Sequence, residues 1–343
     1  MASTRPTEPL DPTVPVALVA GASRGLGLLI ATELASRGFR VHGCARSAEE
    51  LASAAPHVDA ASAQAHPAFV PHVCDVADAA AVEGWVTRVL EHEGHIDVAL
   101  HVAGTIQVGP LDAMTLGHVH EAVDTMLWGP VHLSLAVLPA MRAAGRGRVG
   151  IVSSFGGVIS VPHLLPYSVA KFGAVGLAEG LHAELSGTGV TATSVTPGLM
   201  RTGGHVAARF TGDAERDAAW FSPGGSLPLV SISAERAARR IVGGVLPGRP
   251  VVDLTPLAMV GRRIHGLAPA TTVRALGLVS RALPRDPAHA ERATADAMTS
   301  AAPSTSGATA RSRLRLSSRF AGRVVDALST LGDRAARRHH EPR

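Results

Sequence analysis

Short apolar runs alternate with stretches of helical spacing along most of the chain. Runs of this kind are typical of strands that are buried on both faces of a parallel sheet. They predict strands at 16–20, 40–45, 69–74, 96–102, 148–153, 190–196 and 250–254.

Helical patterns separate these runs, at 28–36, 77–92 and 116–143 and around residues 167–171. Strands that alternate with helices predict right-handed βαβ units and a sheet wound in both directions. The predicted fold class is α/β: a Rossmann-type, doubly wound parallel sheet of about seven strands, with helices on both faces and a helical C-terminal extension.

The pattern divides the chain into five segments. A Pro-rich, polar stretch, 1–14, is expected to be disordered, and 15–255 forms the Rossmann-type domain. An apolar and basic helical extension, 256–283, follows it. Residues 284–312 are rich in Ala, Ser, Thr and Pro, which is typical of a linker. The last segment, 313–343, is predicted to be a basic amphipathic helix and a tail.

This last helix has one apolar stripe, formed by positions 316, 320, 324, 328 and 331. Residues 311–343 carry nine arginines against three acidic residues. The helix could lie on an anionic membrane surface, on the preceding domain or on a partner, and the sequence leaves these alternatives open.

The composition argues against several classes of protein, among them nucleic-acid-binding, secreted and membrane-spanning proteins. The apolar fraction is 46% of 343 residues, with 3% aromatics and a net charge of +4, which leaves little to bind nucleic acid. Cys44 and Cys74 form no CxxC pair, so buried thiols in a reducing, cytoplasmic setting are expected. Residues 1–15 contain no apolar signal segment, and no apolar run reaches the ~20 residues that span a bilayer. Histidines at 101, 118 and 120 lack accompanying ligands, so no metal site is predicted.

A glycine-rich turn follows the first predicted strand. Gly21, Gly25 and Gly27 surround Ser23, Arg24 and Leu26, and the last glycines open a helix. Small residues allow a pyrophosphate to approach the backbone, where the helix N-terminus offers free N–H groups. The turn is therefore a candidate dinucleotide site.

Residues after the second and third strands bear on the choice of dinucleotide. NAD sites usually place a carboxylate at the ribose, whereas an arginine accommodates a 2′-phosphate. The stretch after the second strand contains Arg46 and no acid, and Arg24 lies in the glycine turn. This favours NADP(H) over NAD(H). Asp75 and Val76 follow the third strand, where a carboxylate could reach the adenine.

The chain has a single tyrosine and a single lysine, Tyr167 and Lys171, four residues apart. That spacing places both on one helical face. A lysine ammonium beside a tyrosine hydroxyl can lower its pKa, which is ordinarily near ~10, and so make it a general acid/base.

Together these motifs resemble the short-chain dehydrogenase/reductase family, over about residues 16–202. Ser154 lies thirteen residues before Tyr167 and resembles the family's catalytic serine. The resemblance implies catalysis by Ser154, Tyr167 and Lys171 and a homodimer or homotetramer. It also implies cofactor contacts from the glycine turn, the tyrosine and the lysine, with further contacts from Ala103, Gly104, Pro197, Gly198 and Thr202.

The expected function is hydride transfer between NADP(H) and a carbonyl or secondary alcohol, with Tyr167 exchanging the proton. Aromatic residues in a predicted substrate lid, 203–230, suggest an apolar small-molecule substrate, and packing of the lid on the domain would account for them equally well. Two residues depart from the family: His101 lies where an NNAG motif begins, and Met126 replaces an asparagine of the proton relay. A catalytically impaired regulatory or scaffold protein, and an epimerase or dehydratase, are the alternatives.

Overall fold

The computed structural model describes residues 13–63, 67–201, 204–224, 231–284, 304–317 and 319–339. The strands are β1 (Val16–Ala20), β2 (Arg40–Ala45), β3 (Phe69–Val73), β4 (Val98–His101), β5 (Gln107–Val108), β6 (Gly147–Val152), β7 (Val190–Thr196), β8 (Leu199–Arg201), β9 (Arg209–Phe210), β10 (Ser231–Ser233), β11 (Val251–Asp253) and β12 (Thr305–Ser306). The helices are α1 (Gly25–Ser36), α2 (Ala48–Ala60), α3 (Ala79–Glu93), α4 (Leu116–Val123), α5 (Gly129–Ala143), α6 (Leu165–Glu184), α7 (Gly204–Ala207), α8 (Ala214–Gly224), α9 (Ala234–Val245), α10 (Pro256–Leu267), α11 (Pro269–Ala282), α12 (Gly307–Ser317) and α13 (Arg319–Arg338).

The central sheet has seven strands in the order β11-β7-β6-β4-β1-β2-β3, and every pair in it is parallel. From β1 the chain moves outward to β3, and then returns to place β4 on the other side of β1. The order therefore reverses between β1 and β4, where open α/β sheets form their ligand crevice. The predicted doubly wound fold is confirmed.

Two apolar layers cover the sheet, one on each face. Successive side chains of β1 point to opposite faces, so Ala17 and Val19 join one layer while Val16 and Leu18 join the other. The first layer is completed by α1, α2 and α9, and the second by α3, α5 and α6. Trp85 of α3 is fully buried in the second layer.

Strands β1, β2 and β7 begin and end where the sequence predicts. Helix α2 was not predicted, because Pro56 lies inside it and its apolar face is short. Its N-terminus is capped by Ser47, whose hydroxyl accepts a hydrogen bond from the N–H of Glu50. Cys44 and Cys74 are buried free thiols, as expected.

The helix predicted over 116–143 consists of two α-helices joined by one π-helical segment, Asp124–Trp128. Such π segments interrupt α-helices mostly at functional sites. This one contains Met126, the residue that departs from the family pattern.

The prediction of a linker over 284–312 is wrong at the C-terminal end of that range. Residues 285–303 lie outside the described part of the chain, but β12 and α12 begin before residue 312. Alanine favours helices as well as linkers, and here Ala310 and Leu314 are buried against the domain. Of the stretch predicted to be disordered, 1–14, residues 1–12 lie outside the described part of the chain.

The prediction of a single helix over 313–343 is also wrong, because the range is divided between α12 and α13. Both helices pack against α8, and β12 pairs with β9. Arg311 joins the two helices by ion pairs to Asp326 and Asp333, at 2.8 and 2.6 Å. The side chains of the predicted apolar stripe lie outside the described residues.

Candidate active site

The turn after β1 touches the loop after β4. Gly21 has a φ of +88°, and a Cβ added to it would lie 2.7 Å from the Cα of Ala103. The backbone N–H groups of Val102 and Ala103 both donate to the carbonyl of Ala20. Two predicted cofactor-binding segments are therefore in contact at the reversal of strand order.

A second close approach shapes the turn itself. A Cβ on Gly27 would lie 1.8 Å from the carbonyl oxygen of Gly21, so only glycine fits there. Gly25 has a φ of +54° and begins α1. The turn therefore packs directly on the N-terminus of α1, which is the part of a helix that binds phosphate groups.

The first turn of α1 also contacts the other end of the chain. The Gly25 N–H donates a hydrogen bond of 2.8 Å to the carbonyl of His339. The buried His339 ring lies 3.2 Å from a carboxylate oxygen of Glu235 on α9. Sequence reasoning did not foresee this contact, since it depends on the packing of α13.

Arg24 is held by a carboxylate that sequence reasoning missed. Its guanidinium lies 2.6 Å from Glu50, and the Ser23 hydroxyl donates to the same carboxylate at 2.9 Å. Glu50 comes from α2, which the pattern did not reveal. Arg46 lies exposed at the end of β2. Of the two arginines predicted to favour NADP(H), Arg24 is therefore bound to an acid, whereas Arg46 is exposed.

Asp75 and Val76 lie where the sequence predicted, just beyond β3. The Asp75 carboxylate is exposed and accepts a hydrogen bond from the Ala77 N–H at 3.0 Å. Val76 is buried, and its carbonyl lies 3.1 Å from a ring nitrogen of His132. Both residues are on the C-terminal edge of the sheet, the same edge as the glycine turn.

Ser154 and Tyr167 are brought together beyond the end of β6. The Ser154 hydroxyl accepts a hydrogen bond from the Gly156 N–H at 3.1 Å, which fixes its side chain. Tyr167, in the first turn of α6, is hydrogen-bonded to Ser154. A Cβ on Gly156 would lie 3.1 Å from the tyrosine ring, so glycine makes room for the ring.

Lys171 lies one turn further along α6 and is buried. Its ammonium donates to the carbonyl of Val152 at 2.8 Å and lies 5.8 Å from the centre of the Tyr167 ring. Burial lowers the pKa of Lys171 to about 8, because the charged form loses hydration.

Burial also raises the pKa of Tyr167, while the hydrogen bond from Ser154 opposes that shift. The sequence-based expectation was that Lys171 would lower the tyrosine pKa. In this structure desolvation outweighs the other influences on the hydroxyl. The ammonium is directed to Val152 rather than to the phenol.

The two departures from the family both lie beside Lys171. A Cβ built on Gly104 would be 3.2 Å from the Met126 sulfur and 3.7 Å from the Lys171 nitrogen, so all three are neighbours. Met126 is 1% exposed. Burial and the charge of Lys171 lower the pKa of His101 to about 3, so its ring is neutral.

The remaining predicted cofactor residues lie at the end of β7. The carbonyl of Pro197 accepts a 2.7 Å hydrogen bond from the N–H of Phe155, next to Ser154. Gly198 packs so closely on Thr255 that a Cβ would lie 2.2 Å from its hydroxyl. Thr202 lies outside the described residues. The same holds for 225–230 of the predicted lid.

A buried carboxylate in the lid also escaped sequence reasoning. Asp217 of α8 lies 2.9 Å from a ring nitrogen of His163 and accepts a 2.9 Å hydrogen bond from Trp220. His163 has a φ of +64°, a conformation that residues other than glycine seldom adopt. This contact ties the loop before Tyr167 to the lid.

These features fit a bound nicotinamide dinucleotide. At Gly21 and Gly27 the backbone packs so closely on the Ala103 backbone and on the turn itself that no side chain fits, and the turn lies at the N-terminus of α1. The buried ammonium of Lys171 and the hydroxyls of Ser154 and Tyr167 lie on the same edge of the sheet. None of the helices described is long and apolar enough to pass through a bilayer.

Comparison with known proteins agrees with this geometry. The family model for short chain dehydrogenases matches residues 15–210. A protein assigned as ketoacyl reductase 1 of the granaticin polyketide synthase, from Streptomyces violaceoruber, is 32% identical over 268 residues, which cover 77% of this chain and 91% of that protein. A 3-ketodihydrosphingosine reductase from Bacteroides thetaiotaomicron is 31% identical over 55% of this chain and 65% of that protein.

Two solved structures are also similar. A short-chain dehydrogenase from Streptomyces avermitilis has a TM-score of 0.67 and 29% identity, covering 80% of this chain and 99% of that one. A variant of actinorhodin polyketide ketoreductase with NADPH has a TM-score of 0.62 and 27% identity, covering 72% and 98%. The chain belongs to the short-chain dehydrogenase family and is an NAD(P)-dependent oxidoreductase of that family.

Proposed function

We propose that the protein is an NADP(H)-dependent reductase of a carbonyl group on an apolar small molecule. The observation that carries the proposal is the grouping of Ser154, Tyr167 and Lys171 beside the reversal of strand order. Two hydroxyls and a buried ammonium at one edge suit proton transfer to a carbonyl oxygen.

When bound, the nicotinamide supplies the hydride that forms the new C–H bond. Ser154 orients the carbonyl oxygen by donating a hydrogen bond, and Tyr167 gives its hydroxyl proton to that oxygen as it becomes an alcohol. The Tyr167 hydroxyl is protonated at neutral pH and can act as the acid in the reductive direction; because burial raises its pKa and so weakens it as an acid, the step needs positive charge nearby. Lys171 holds positive charge beside the phenolate that remains.

The preference for NADP(H) rests on Arg24 and Arg46. Guanidinium groups bind phosphate through charge-assisted hydrogen bonds. Glu50 competes for Arg24, since their side chains are 2.6 Å apart. Calorimetry should show tighter binding of NADPH than of NADH, and a much smaller preference after Arg24→Ala with Arg46→Ala. Equal affinities in the unmutated protein would refute the assignment.

The apolar substrate is supported by the lid. Trp220 and Phe221 pack edge to face and are half-buried, so they leave aromatic surface for a substrate, whereas Phe210 is fully buried. The relatives named above include reductases of ketoacyl and long-chain keto compounds. We therefore expect ketones with long or ring-bearing apolar groups to react faster than small polar ones.

A single screen tests this function against its alternatives. NADPH oxidation is followed with ketones, aldehydes and quinones of graded hydrophobicity. Turnover that depends on Tyr167 supports the reductase. Cofactor binding without turnover of any substrate would instead favour the regulatory or scaffold protein, for which the buried Met126 beside Lys171 is the supporting observation. Conversion without net NADPH consumption would favour an epimerase or dehydratase.

A homo-oligomer is also proposed, as the family resemblance implies. Leu135 on α5 and Val169 and Phe172 on α6 are apolar side chains that the single chain leaves 39–63% exposed. Light scattering after size-exclusion chromatography measures the mass. A monomer at all accessible concentrations would refute the proposal.

A further inference from the structure

Helix α10 presents an apolar stripe to solvent. Leu257, Val260, Ile264 and Leu267 recur at the spacing of one helical face and are 47, 50, 53 and 87% exposed. A neighbouring face contains Ala258 and Gly261, which are buried against the domain. A helix normally buries its apolar face, but the residues that the structure describes leave about half or more of each of these side chains exposed.

Helix α11 extends the same surface. It has no buried residue, and Val273, Leu278 and Val279 are 58, 63 and 52% exposed. A patch of this many large aliphatic side chains exceeds what a monomeric surface normally carries, and such patches mark interaction sites.

The charges that α10 and α11 themselves carry have one sign. Residues 256–284 contain four arginines and no aspartate or glutamate. Arg262 is held by Glu179 and Asp253 of the domain. Arg263, Arg274 and Arg281 are exposed and make no ion pair with the part of the chain that the structure describes.

These charges help to decide whether a second copy of the chain or a membrane covers the surface formed by α10 and α11. In a two-fold dimer the same patch lies on both subunits, so these arginines would face one another with no carboxylate of α10 or α11 to neutralise them. An anionic membrane surface instead matches both the arginines and the aliphatic side chains of these helices. Its lipid headgroups attract the arginines, and the boundary of its acyl chains buries the aliphatic side chains. We propose that α10 and α11 form a docking surface for an anionic lipid bilayer.

The surface also adjoins the candidate active site. Ser280 of α11 lines a cavity of about 180 Å³ together with Leu165, at the start of α6, and His163. Leu165 and Leu111, which also line this cavity, are 44 and 68% exposed. Docking through α10 and α11 therefore places the cavity near the bilayer surface. The docking itself does not depend on which reaction the enzyme catalyses.

Vesicle flotation of the full-length protein tests the proposal. Vesicles of phosphatidylglycerol mixed with phosphatidylcholine are compared with vesicles of phosphatidylcholine alone, at low and high salt. Binding is expected only with the anionic vesicles and should weaken as salt increases. Arg274→Gln with Arg281→Gln should lower the partition coefficient about fivefold for each arginine, hence about thirtyfold together. Leu267→Gln with Leu278→Gln should abolish flotation.

The matched control is Arg334→Gln with Arg337→Gln, which removes two exposed arginines from α13. It should leave flotation nearly unchanged. Loss of flotation in this control but not in the α11 pair would assign membrane binding to the C-terminal helix and overturn the proposal. So would absence of unmutated protein from floated anionic vesicles. A dimer that becomes monomeric with the Leu267 and Leu278 changes, without vesicle binding, would identify the patch as a subunit interface.

Discussion

Replacing Met126 with asparagine tests how the buried lysine is supplied with protons. The Met126 sulfur and the Lys171 nitrogen lie within 4 Å of one point above Gly104. The Lys171 ammonium has one described acceptor, the carbonyl of Val152. An amide oxygen at position 126 could accept a second hydrogen bond from it, whereas a thioether is a weak acceptor.

The structure permits a rough energy balance for Met126→Asn. Loss of a fully buried methionine and partial opening of a cavity cost about 2–4 kcal/mol. A hydrogen bond to the charged ammonium returns about 1.5–3 kcal/mol. The expected loss of stability is therefore about 1 kcal/mol. Because the new bond favours the charged form, it should raise the pKa of Lys171, now about 8, by about one unit.

The assay is the pH dependence of kcat, measured in H₂O and in D₂O, with thermal unfolding as the check on folding. The limb that reports Lys171 should move to higher pH, and the solvent isotope effect should shrink. Met126→Leu is the matched control: it keeps the apolar volume but adds no acceptor, so the pH profile should stay in place. A folded Asn variant with an unchanged profile and isotope effect would mean that position 126 does not act on Lys171.

Tyr167→Phe should keep NADPH affinity while kcat falls about 10²–10⁴-fold, because only the proton donor is removed; stopped-flow NADPH oxidation near the unmutated rate would contradict it. Lys171→Met should be inactive yet at least as stable at pH 7, since charging the buried lysine costs about 3 kcal/mol there. In the unmutated protein that cost disappears as pH rises from the folded pKa of about 8 to the usual 10.5, so only the unmutated protein should gain stability across that window in urea titrations. A chain that ends at residue 303 should bind NADPH but unfold at a lower temperature, because Phe210 and Ala218 lose their cover from α12; an unchanged midpoint in calorimetry would contradict this.

Much of the fold could be predicted because the buried strands are continuous apolar runs that can be recognised in the sequence. β1, β2 and β7 are runs whose neighbours in the sheet bury both faces, so local pattern and tertiary structure agree. The placement of Ser154, Tyr167 and Lys171 at one edge follows from helix spacing and from parallel strands that end together.

The features that could not be predicted from the sequence depend on contacts between distant segments. Glu50 meets Arg24 only because α2 folds back beside the glycine turn, and Asp217 meets His163 only across the lid. Their spacing along the chain, 26 and 54 residues, carries no periodic signal. The boundary before α12 was missed for a related reason, since an alanine-rich stretch becomes a helix only where a surface such as that around Phe210 receives it.

The hydrogen bond from Gly25 to the carbonyl of His339 makes the two ends of the molecule thermodynamically dependent on each other. A phosphate oxygen that accepts from this N–H must displace that carbonyl, so the ligand and the docked chain end compete for one donor. By linkage, the factor by which docking weakens the ligand equals the factor by which the ligand weakens docking. A dinucleotide that bound at this N–H would therefore favour molecules in which the carbonyl of His339 has left Gly25.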